Sequence, residues 1–387
     1  MDPTRFIARK LRFQGRIAAV SIAVSYLVMI LSVAISSGFR QSVRDGVADV
    51  MGDIQISPIP SSDLGGTRPI PARLPSEKEI LSIPGVVSMT PAAYAAGIVR
   101  SGDIIHGVLL KGTPSWQDSS LTVSIPRRLG EITGLGAGDE MVTYFVGEKV
   151  RVRKFRISEV HDDAITMDDR LVVRCSIADV QRINGWTEDE ASVQEIKLRD
   201  GARSASSSRS IAARAGILLQ LGGNEDESSL QAAAAVNRYP QLFDWLNLLD
   251  NNVLLLLVLM TVVAGFNMIS GLLIMLLRNI PTIGTLKTLG MRDRSIGVVF
   301  LRTASTLVLK GMAVGNVAAL LFCLIQSTTH LIPLDPANYF VSYVPVHVNL
   351  PLILAADLLS YLVIMGFLLI PTLYIARIDP ADSVRME

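Results

Sequence analysis

The chain has 387 residues, of which 50% are hydrophobic and 18% charged, with a formal net charge of +1 and a mean hydropathy of +0.42. This composition is too apolar for an ordinary soluble protein, and the near-zero charge, with no basic stripe outside the apolar flanks, excludes nucleic-acid binding. Cys175 and Cys323 fit neither a disulfide framework nor a zinc spacing, and His106, His161, His330 and His347 are scattered, so no metal is expected.

A helix needs roughly 20 apolar residues to cross a hydrocarbon core. Ile17–Phe39, Val253–Leu277, Thr303–Ile325 and Leu350–Ala376 reach that length. The first follows Arg5, Arg9, Lys10, Arg12 and Arg16 and ends in small residues, as a secretory signal does, but it exceeds the roughly 7–15 apolar residues of one and reads as an uncleaved span. The arm before it places Phe6, Ile7 and Leu11 on one side of an amphipathic helix. Lys and Arg crowd this arm, the segment between the second and third spans and the tail, while Ser327–Val346 has neither, which predicts two cytoplasmic termini.

The expected fold class is therefore a membrane α-helical bundle of four transmembrane helices, with an α+β extracytoplasmic domain inserted between helices 1 and 2. In order, the divisions are an arm at 1–16, a span at 17–39, the outer domain at 40–245, a span with a stalk at 246–278, a cytoplasmic loop at 279–299, a span at 300–326, an outer loop at 327–348, a span at 349–376 and a tail at 377–387.

Within the outer domain, Gly52–Ser57 alternates as a strand does and is broken by Pro58 and Pro60. Ser61–Pro75 reads as a loop, and Ser76 followed by Glu79 as the capped start of a short helix ending at Ile83-Pro84-Gly85. Tyr94–Arg100 and Ile104–Lys111 flank Ser101-Gly102-Asp103 as a hairpin. Met141–Phe145, Lys149–Ile157, Ala164–Met167 and Leu171–Arg174 predict a small sheet or barrel, Ile177–Ile183 a helix, Val193–Leu198 a strand, and Ser204–Val236 helix or loop. Tyr239–Asp250 has helical spacing and runs into the second span, as a stalk or as an interfacial helix with Trp245 at the membrane surface.

Between the second and third spans, Ile280, Ile283, Leu286 and Leu289 form a short apolar stripe and Gly290 suits a left-handed cap. By pattern alone this segment fits a helix that enters a partner's groove and one that lies on the membrane equally well. Inside the spans, Lys310 and Asp357 either pair or separate, with Lys310 reaching toward the cytoplasm. Gly311 and Gly315 suit close helix contact, within one subunit or between two.

The segment Ile283-Gly284-Thr285-Leu286-Lys287-Thr288-Leu289-Gly290 resembles the E-I-G-x-L-K-A-L-G loop of the FtsX-like ABC transporter permease family, which includes LolC/LolE lipoprotein-release permeases and the membrane part of MacB. The tail, with Pro371, Ala376, Arg377, Pro380 and Arg385, is similar to that family's ending; Ile375 and Val384 depart from it, and Thr282 stands where the family often has an acid. Leu129 and Leu135–Asp139 are similar to its MacB-like periplasmic core domain.

The resemblance implies that Ile283, Gly284, Leu286, Lys287, Leu289 and Gly290 couple to a separate P-loop ATPase, and that the chain works beside a second permease copy or a paralogue in the inner membrane. ATP would be bound by that partner, since this chain has no Gly-x-x-x-x-Gly-Lys-Ser/Thr loop, carries no cofactor of its own and shows no nucleophile–base constellation of an enzyme. It further implies ATP-driven motion passed across the membrane, first for release of lipoprotein cargo to a periplasmic carrier. The alternatives are MacB-like export of peptides or drugs and FtsX-type regulation of cell-wall hydrolases.

Overall fold

The computed structural model describes residues 16–59, 68–116, 118–146, 150–161, 171–222, 225–335, 339 and 341–374. The amphipathic arm, Ala164–Met167, and Ala376, Arg377, Pro380 and Arg385 of the tail lie outside the described residues. The chain divides into two compact units, one built from Met1–Arg40, Leu246–Ile332 and Val344–Glu387, the other from Gln41–Trp245 and Pro333–Tyr343.

The first unit is a helical bundle. Its helices are α1 (Arg16–Met51, whose last turns belong to the other unit), α6 (Pro240–Arg278, whose first turns, to Trp245, belong to the other unit), α7 (Ile280–Thr288), α8 (Asp293–Thr329) and α9 (Leu350–Tyr374). Four of these are long and apolar enough to cross a membrane: Ala18–Met51, Pro240–Arg278, Asp293–Thr329 and Leu350–Thr372. α6 is unbroken from Pro240 through the second apolar segment.

Close contact in the bundle is set by small residues. A Cβ on Gly311 would lie 2.7 Å from Ile22 Cγ2, and one on Gly315 would lie 2.5 Å from the Ala23 carbonyl oxygen, so α8 seats directly on α1. The Gly-x-x-x-Gly pair is thus used inside one subunit. Gly265 of α6 accommodates the ring of Phe367 of α9 in the same way. Ile22, Tyr26, Met268, Phe300, Val308, Ile364 and Leu368 fill the interior.

The second unit is mostly β. Its strands are β1 (Ile54–Pro58), β2 (Ile70–Pro71), β3 (Val86–Ser101), β4 (Ile104–Thr113), β5 (Thr122–Pro126), β6 (Glu140–Phe145), β7 (Arg151–His161), β8 (Leu171–Ser176), β9 (Glu190–Ala191), β10 (Val193–Leu198) and β11 (Leu230–Ala234). The main sheet runs β11-β1-β10-β3-β4-β8-β5-β7-β6, and β6 returns to pair with β3. Six strands therefore close into a barrel: β3, β4, β8, β5, β7 and β6.

β3 belongs to both parts of the sheet. Val86–Ala92 pairs with β10, and Ala93–Ser101 pairs with β4 through the expected hairpin, whose Gly102 has φ +59. Val99, Val108, Leu110, Val123, Met141, Phe155, Ile157 and Val173 fill the barrel, as alternate residues of a closed sheet must. Helices α3 (Arg127–Thr133) and α4 (Ile177–Asn184) flank it, each ending at a left-handed glycine, Gly134 and Gly185.

On the open extension, Ile54, Ile56, Met89, Ile196 and Leu230 pack under α2 (Glu77–Leu81) and α5 (Ala205–Leu221). Two sequence expectations change here. Leu230–Ala234, expected as helix or loop, is a strand: its alanines favour helix in isolation, but the free edge of β1 takes them as β11. Ser76 stands at the start of α2 without capping it, because its N–H and hydroxyl both donate to buried Glu227 Oε1, at 3.0 and 2.9 Å.

Candidate functional site

The segment that joins α6 to α8 folds as a helix with a defined stop. α7 begins after Asn279, and Pro281 sits in its first turn, where a missing N–H costs nothing. At the other end Gly290 has φ +87. Its N–H donates to the Lys287 carbonyl at 2.9 Å, and the Met291 N–H donates to the Leu286 carbonyl at 3.0 Å. These two bonds form a Schellman cap, and the apolar contact that accompanies it comes from Leu286 and Met291, both packed against the bundle interior.

The six residues of the loop motif divide by direction. Ile283 and Gly284 are buried in the bundle, and Leu286 is half-buried there. Leu289, the last residue of the predicted stripe, is 78% exposed instead. Having lost its place in the helix to the cap, it points away from the row that Ile283 begins. Lys287 Nζ lies 2.9 Å from Asp293 Oδ1, in the first turn of α8, where a carboxylate also complements the helix dipole. The outward surface is formed by Pro281, Thr282, Thr285, Thr288 and Leu289. Pro371, the described residue of the tail motif, is buried inside α9.

The two intramembrane charges are not brought together. Lys310 is exposed on α8, while Asp357 is 5% exposed and accepts a hydrogen bond from Asn316 Nδ2 at 2.6 Å. Asn316 carries no charge to mark it in an apolar run, so the sequence reading passed over it.

A second polar group, in the β unit, was also missed. Lys111 Nζ donates to the carbonyls of Asp49 and Val50 at 2.8 Å each and to Glu195 Oε2 at 2.8 Å. Tyr94 Oη bonds both the Val50 carbonyl and Glu195. Lys111, Glu195 and Tyr94 are 4%, 3% and 1% exposed. They occupy carbonyls of the last turn of α1, which have no intrahelical donor. Burial pushes the Glu195 carboxyl and the Tyr94 hydroxyl above their ordinary values, and the Lys111 ammonium partly offsets the shift at Glu195. Each of these residues alone looks like an ordinary polar position on a strand.

The described residues thus combine four helices long and apolar enough to cross a membrane, a large β-rich unit and a capped short helix between the second and third of those helices. Residues 254–380 match the FtsX-like permease C-terminal family. That match spans the C-terminal third of the chain, from within α6 through α9, and makes this part similar to FtsX-like permeases.

Two curated relatives, both lipoprotein-releasing system transmembrane proteins LolC of Xylella fastidiosa, from strains 9a5c and Temecula1, are each 20% identical. The aligned region covers 97% of this chain and 94% of each relative. Among solved structures, the periplasmic region of MacB from Actinobacillus actinomycetemcomitans aligns with a TM-score of 0.32 at 13% identity, covering 50% of this chain and 95% of that one. The extracellular domain of the transporter YknZ from Gram-positive bacteria aligns with a TM-score of 0.30 at 13% identity, covering 46% and 98%.

Proposed function

We propose that this chain is the permease subunit of an inner-membrane complex that releases lipoproteins toward the outer membrane. The observation that carries this reading is its alignment with LolC along nearly the whole of both chains, 97% and 94%. In this reading both termini are cytoplasmic, as the Lys and Arg bias favours, and the domain between helices 1 and 2 is extracytoplasmic.

A separate P-loop ATPase binds ATP and engages α7. Ile283, Gly284 and Leu286 anchor the helix in its own bundle, and Thr282, Thr285, Thr288 and Leu289 meet the ATPase. Nucleotide-driven movement of α7 then passes into α6 and α8, the helices it joins. A second permease subunit, identical or paralogous, completes the membrane part.

The test is purification of the full chain from its native membrane in mild detergent, followed by reconstitution of the purified complex with a lipidated protein in liposomes. A co-purifying P-loop ATPase and ATP-dependent transfer of the lipidated protein to a soluble carrier are expected. Recovery with wall hydrolases and no transfer would move the assignment to the regulatory alternative. Recovery with no ATPase would refute the reading.

A further inference from the structure

Asp357 lies seven residues into α9, about 10 Å along the helix from Leu350, within the apolar segment Leu350–Thr372. One of its carboxylate oxygens, Oδ2, receives the amide of Asn316 from α8 at 2.6 Å. The other, Oδ1, is buried with no donor among the described residues, and so is the amide oxygen Oδ1 of Asn316.

The hydroxyls packed nearby are engaged elsewhere. Ser360 Oγ lies 3.1 Å from Tyr26 Oη and 3.0 Å from the Asp357 carbonyl, and Tyr361 Oη lies 2.8 Å from Ser305 Oγ. Among the described residues, the phenol of Tyr26 on α1 is the titratable group that interacts with Asp357, and Tyr361 on α9 interacts in turn with Tyr26. On α8, Lys310 is exposed and precedes Asn316 by six residues, and α6 has no charged residue between Asp250 and Arg278. An ionised Asp357 would thus leave a net negative charge in an apolar bundle, together with two acceptors that nothing serves.

One proton removes both defects. We propose that Asp357 and Asn316 form a proton-binding site in the membrane bundle, with Asp357 carrying the proton on Oδ1 as a neutral carboxylic acid paired to the Asn316 amide. The step is a simple protonation: the carboxylate takes one proton, its charge goes from −1 to zero, and no other bond is made or broken. The new O–H is the donor that the two oxygens lack, and Asn316 Oδ1 is the neighbouring acceptor in need of one. A carboxylic acid and a primary amide satisfy each other in this way through two hydrogen bonds, the first of which is already formed at 2.6 Å. The site depends on no part of the lipoprotein reading.

Infrared spectroscopy of the full chain in lipid nanodiscs at neutral pH tests it. The wild-type minus Asp357→Asn difference spectrum is expected to show the C=O stretch of one protonated carboxyl. Loss of a carboxylate band instead would overturn the proposal. Asn316→Leu provides a second reading that does not require the first variant to fold: removing the amide is expected to shift the acid C=O band upward, as its hydrogen bonds are lost. No such shift, with the acid band unchanged, would also refute the pairing.

Discussion

The triad of Lys111, Glu195 and Tyr94 allows a sharp test of how the β unit holds the end of α1. Two unit charges 2.8 Å apart attract by about 6 kcal/mol at an effective dielectric constant of about 20. Desolvating both groups costs several kcal/mol per ion, so the intact pair contributes little net stability. Removing one partner is different. Lys111→Met strands a buried carboxylate and also strips a donor from the Asp49 and Val50 carbonyls, and Glu195→Gln strands a buried ammonium, so each single change is expected to cost about 3–5 kcal/mol.

The double variant is expected to lose clearly less than the sum, with a coupling of about 2–3 kcal/mol. The assay is thermal or denaturant unfolding of the full chain in detergent, followed by fluorescence of Trp116 and Trp186, both in the β unit. Additive losses would refute the pairing. pH gives a second handle. Burial raises the Glu195 carboxyl above its ordinary 4.5, so between 4.5 and the folded value the folded chain keeps a proton that the unfolded chain has released, and above the folded value it is the carboxylate paired with Lys111. That group's share of stability is present below pH 4.5 and is lost as pH rises through the folded value. Glu195→Gln should flatten this slope.

Gly315→Val would drive a side chain into the Ala23 carbonyl and Tyr26, and is expected to lower the unfolding midpoint through an overpacking cost of about 1–3 kcal/mol; an unchanged midpoint would argue against the seat of α8 on α1. Gly290→Val forces a β-branched residue to φ +87, a cost of about 1–2 kcal/mol, and, if α7 engages an ATPase as proposed, should lower that enzyme's stimulation while leaving the β unit's unfolding unchanged. Cys175 is buried and its thiol is pushed well up by desolvation, so mass spectrometry after alkylation should find it unmodified in the native chain and modified after denaturation.

The membrane part was legible in the sequence because hydrocarbon imposes a length and a polarity on each span, and both are local properties of the chain. The apolar segments, the division between 278 and 279 and the stop at Gly290 could be read one residue at a time. The hairpin around Gly102 and the strands that alternate into the barrel were legible for the same reason.

What the tertiary structure decided were matters of partnership between distant residues. β11 exists because β1 has a free edge, although its alanines favour helix. Asp357 turns to Asn316 and away from Lys310 because the packing of α8 on α1 through Gly311 and Gly315 fixes which face of α8 is buried. Lys111, Glu195 and Tyr94, each from a different strand, meet only after β3, β4 and β10 align beside one another. Hydropathy and backbone preference act over a few residues and can be read in order, whereas burial of a polar group is satisfied by whichever donor the fold brings near.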